Sequence, residues 1–84
     1  MSEYKDLQEM LEIIITAIEI HGCEEEFFRR SARASTSEVA KSLFTEIADD
    51  LAKHRESLEA RKQKLLGTLT DLQERKKKRA QTGS

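Results

Sequence analysis

From Leu7 to Phe28 the chain sets Leu7, Leu11, Ile14, Ile18, His21, Glu25 and Phe28 at alternating steps of four and three residues. Those intervals bring side chains onto one face of an α-helix, whereas a strand alternates its faces every second residue. The spacing predicts a first helix from about residue 3 to about residue 32. Two polar residues, His21 and Glu25, interrupt its otherwise apolar seam, and they are the first candidates for chemistry.

The next segment, "SARASTSE" at residues 31–38, concentrates small and hydroxyl side chains. Ser35 followed three residues later by Glu38 fits a capping box before a second apolar run. That run places Phe44, Ile47, Leu51, His54, Leu58 and Leu65 on one face, broken by Arg61 and widened by Leu43 and Ala48. Glycine costs roughly 1 kcal/mol relative to alanine inside a helix. Gly67 therefore predicts a second helix over about 36–66, with a short extension over 68–78 carrying Leu69 and Leu72. The basic segment 73–84 is expected to be flexible and to lie outside the hairpin domain of residues 1–72.

Two helices joined by a short link give an all-α antiparallel hairpin. With 84 residues, no proline, 37% hydrophobic residues and 5% aromatics, such a hairpin cannot cover its own apolar faces. The expected solution is a homodimer, or a higher homo-oligomer, in which two hairpins form a four-helix bundle about a two-fold axis.

The net charge of −1 gives no overall field that would select nucleic acid or an anionic membrane. The run "RKKKR" at residues 75–79 lacks interleaved aromatics and reads as the solvated cationic end of a helix. Neither nucleic acid nor membrane is expected as a partner. A lone cysteine, Cys23, allows no intrachain disulfide and is read as a small filler in a reducing, cytoplasmic setting. No glycine-rich phosphate loop, Gly-x-Ser-x-Gly or Cys-x-x-Cys is present. A metal site is thus the only chemistry the residue pattern suggests.

His21 with Glu25, and Asp50 with His54, are pairs four apart, a spacing at which two side chains of one helix reach one ligand. Imidazole with carboxylate suits zinc, iron or manganese. A bend centred near residue 36 would set His21 opposite Leu51 and His54 opposite Ile18, bringing both histidines to one region of the core. The alternative is a pair of neutral histidines, each donating a ring proton to a nearby acid.

The segments "AI…H…FF" at 17–28, "AST" at 34–36 and "SLFTEIADDLAKH" at 42–54 resemble the first two helices of rubrerythrins and other ferritin-like proteins. In those helices an Ala-Ile pair, a glutamate and an aromatic pair precede Leu-Phe, Leu-Ala and Glu-x-x-His. The resemblance covers roughly residues 7–62 and is closest in architecture to encapsulated ferritins, where two-helix hairpins dimerise around a di-iron site. It implies an iron site at the dimer interface and a role in iron handling; together with the spacing pairs, the candidate ligands for iron or zinc are His21, His54, Glu25 and Asp50. His54 keeps the family histidine, but His21 stands at the helix-one glutamate and Leu51 at the glutamate of Glu-x-x-His. Without that carboxylate, ferroxidase or peroxidase activity is not expected. A metal-free structural or protein-interaction module on the same scaffold is the other function this sequence admits.

Overall fold

The computed structural model describes residues 2–82, and the side chains of residues 3–78. Two helices, α1 (Ser2–Ala34) and α2 (Glu38–Thr82), form a single antiparallel hairpin. Its extents of 70 × 15 × 13 Å make it a rod.

The first helix runs as its periodicity predicts. All seven seam residues from Leu7 to Phe28 are partly shielded, and Ala32 continues the seam as a buried residue. The seam of α2 differs from the expected one. It runs through Phe44, Ala48, Leu51, Arg55, Leu58, Lys62, Leu65, Leu69 and Leu72, all buried or half-buried; of the other expected positions Ile47 is half-buried too, whereas His54 and Arg61 are exposed. Ala48 is fully covered at 0% exposure, so the helices approach closely there.

The link is short and hydrogen-bonded. The Ser35 N–H donates to the Ser31 and Ala32 carbonyls at 3.0 and 3.3 Å, and the Ser35 hydroxyl donates to the Ser31 carbonyl at 2.8 Å. Ser35 thus closes α1 and is not the cap of α2. That role falls to Ser37, whose Oγ accepts from the Ala40 N–H at 3.3 Å and whose carbonyl accepts the Lys41 N–H at 3.0 Å.

Gly67 does not interrupt α2, which continues to Thr82. Residues 68–78 are therefore part of one helix, and the basic run extends it beyond the start of α1. The side chains of residues 79–82, and residues 83–84, lie outside the described residues.

Contacts along the rod fix the register. Phe28 meets Phe44 near the link with ring centroids 6.0 Å apart, and the Gln73 amide donates to the Tyr4 hydroxyl at 2.7 Å near the other end. Phe28 and Phe44 pair as a simple fold at residue 36 predicts, whereas at mid-rod His21 faces His54, not Leu51, three residues farther along α2. The cause is the tilt of every Cα–Cβ bond toward its helix N-terminus. Side chains of α1 lean away from the link and those of α2 lean toward it, which favours the offset seen at His21 and His54.

Candidate functional site

At mid-rod the two histidines, one from each helix, stack with ring centroids 4.7 Å apart and an interplanar angle of 34°. His21 sits in the α1 seam and is half-buried; His54 precedes the seam residue Arg55 and sits on the exposed flank. The convergence expected from the sequence is present, but within one chain and at the edge of the interface.

His21 Nδ1 is buried and has no hydrogen-bond partner among the described residues. Glu24, one turn along α1, brings Oε1 to 3.5 Å from it, an ion pair when the ring is protonated. Glu24 thereby takes the place by His21 that the sequence suggested for Glu25.

Glu25 is engaged elsewhere. Its Oε2 accepts from Arg29 Nε at 2.9 Å, and Arg55 Nη2 lies 3.0 Å from its Oε1, an ion pair off hydrogen-bond alignment. Arg29 also donates from Nη2 to Asp49 Oδ1 at 3.2 Å, tying α1 to α2. Hydrogen bonding to Glu25 chiefly holds the Arg29 guanidinium above its ordinary value; desolvation opposes this and Asp49 adds to it. Both oxygens of Glu25 are therefore spoken for by cations.

Asp50 is exposed and apart from this cluster, whereas its neighbour Asp49 is the acid that reaches α1. Consecutive helix residues point about 100° apart, so only one of the two acids can face Arg29. Among the described residues, no three of His, Cys, Asp and Glu gather as a metal-ligating group. Cys23 is exposed, not a buried filler.

The Arg29–Glu25–Arg55 cluster was not foreseen from the sequence, although signals for it exist. Glu25 precedes Arg29 by four residues, the favourable order for a helix ion pair. Arg55 lies four residues beyond Leu51 and three before Leu58, a seam spacing that its charge conceals.

None of the described helices is long and apolar enough to cross a membrane. No family model, curated protein or solved structure matches the chain.

Proposed function

We propose that this hairpin is a ferritin-like, rubrerythrin-like metal-binding protein whose His21–His54 pair holds an iron or zinc ion and serves iron handling. The observation supporting this is the 4.7 Å approach of two imidazoles from separate helices, with a buried His21 nitrogen lacking a partner. Imidazole nitrogens ligate zinc and iron, and rings this close can turn two nitrogens toward one ion. Glu24, with Oε1 3.5 Å from His21 Nδ1, is the nearest acid to the pair but is not gathered with both rings. An ion bound there ties α1 to α2 and so stabilises the hairpin. With Leu51 offering no donor and Glu25 paired to arginines, no ferroxidase or peroxidase step is proposed.

The test uses untagged protein loaded with iron or zinc, desalted and analysed for bound metal, beside His21→Ala and His54→Ala. One or one-half metal per chain, lost in both variants, is the expected result. Absence of metal from the loaded wild-type chain overturns the reading.

The engagement of Glu25 by two arginines also favours a second reading, a metal-free interaction scaffold. On that reading a chelator leaves stability unchanged, and His54→Leu is neutral or stabilising.

A further inference from the structure

Beside its buried seam α1 carries a second stripe, Met10, Ile13, Ala17, Ile20, Glu24 and Phe27, again at steps of three and four. Met10, Ile13, Ile20 and Phe27 are 50%, 68%, 53% and 58% exposed, and Leu43 of α2 is 51% exposed. In an antiparallel pair the residue before each seam position lies on the same flank of both helices. Leu43 and His54, which precede Phe44 and Arg55, thus border this stripe.

The surface area supports a missing cover. The chain exposes 6614 Å², against about 5,100 Å² for a compact protein of this size. Burying the five large side chains on two copies would remove roughly 1,000 Å² from water, the scale at which specific interfaces begin.

The stripe is also complementary to its own reverse. About a centre between Ala17 and Ile20, Met10 mirrors Phe27, Ile13 mirrors Glu24, and Ile20 mirrors the small Ala17. Glu24 is the polar exception, and its carboxylate turns toward its own His21. Charge follows the same symmetry. Glu3 and Asp6 lie at one end of α1 and Arg30 and Arg33 at the other, all exposed, so a reversed copy sets acids beside bases.

We propose that the occupant of this face is a second copy of the chain, packed α1 against α1, antiparallel, with the two-fold axis between Ala17 and Ile20. This pairing depends on the apolar stripe and not on metal. The axis lies next to His21, so both histidine pairs flank it.

The experiment is sedimentation equilibrium of the full chain in chelator, with a spin label on Cys23 for inter-copy distances. The proposal expects twice the chain mass and a label separation under about 30 Å. The latter follows because Cys23 and its copy would lie about 14 Å apart along the axis. Ile20→Glu should weaken association about 100-fold or more while helix content stays unchanged, since Ile20 is exposed in the single hairpin. Leu66→Glu, on the opposite flank, should leave it intact. A monomeric wild-type chain, association indifferent to Ile20→Glu, association lost in Leu66→Glu, or a longer label distance would each overturn the proposal. None of these outcomes touches the metal reading, which is read by bound metal alone.

Discussion

Arg55 is a charge at a position built for an apolar side chain, and it is tolerated because Glu25 meets it across the interface at 3.0 Å. Glu25 in turn has only 14% of its side chain exposed, so its second oxygen is matched by Arg29. Removing one member of such a cluster costs more than removing the pair, because the survivor is left without its counter-charge. Glu25→Ala should therefore lose about 1–2 kcal/mol in urea unfolding. The double variant with Arg55→Leu should regain that loss or exceed the wild type. A Glu25→Ala variant as stable as wild type would deny the cluster its structural role. The raised Arg29 has a definite sign in pH: its contribution is present below its ordinary value and is lost only as pH rises through the higher folded one. Alkaline titration across the neutral range should leave this contact intact.

Gly67 illustrates how an element overrides a local propensity. Beyond it, Leu69 is 8% exposed and Leu72 half-buried, so continuing the helix keeps both on the seam against α1. Burying a leucine contributes about 1.5–3 kcal/mol, more than the roughly 1 kcal/mol that glycine costs. A Cβ built at Gly67 meets nothing within 4 Å. Gly67→Ala should thus stabilise the hairpin by about 1 kcal/mol, a rise of about 4–8 °C in Tm by circular dichroism. A lower Tm would show that α2 bends or breaks at this position. Its other end depends on Ser37, because the Ser35 hydroxyl is already bonded to α1.

For the whole molecule the radius of gyration is 19.6 Å, against about 12 Å for a compact fold of this length. Among the described residues no large side chain is fully buried, and the covered core consists of Ala32, Ala48, Leu58 and Leu69. A rod with so thin a core would gain much of its stability from a partner that covered its flank. If that is a second copy, unfolding is coupled to dissociation and Tm must rise with protein concentration. Thermal melts across a hundred-fold concentration range in chelator should show it, whereas a constant Tm fits a hairpin that unfolds alone.

The sequence by itself determined the two helices and the α1 seam, because a three-four spacing of apolar side chains admits one backbone geometry. It also placed the two histidines in one region of the hairpin, with His21 opposite Leu51 and His54 opposite Ile18. It did not determine the α2 seam, because every seventh residue, Phe44, Leu51, Leu58 and Leu65, serves equally with the intervening positions Ile47, His54 and Arg61 or with Ala48, Arg55 and Lys62. Hydropathy favours the first set through Ile47. Tertiary packing keeps Ile47 half-buried but otherwise selects the second, because small Ala48 permits close approach and Arg55 finds Glu25 across the interface. That same choice places His54 on the flank, gives Arg29 to Asp49 instead of Asp50, and aligns His21 with His54 three residues from the naive register. Spacing along one helix determines which residues share a face; which partner each residue meets depends on side-chain tilt and fit between two helices, and only the folded hairpin supplies both.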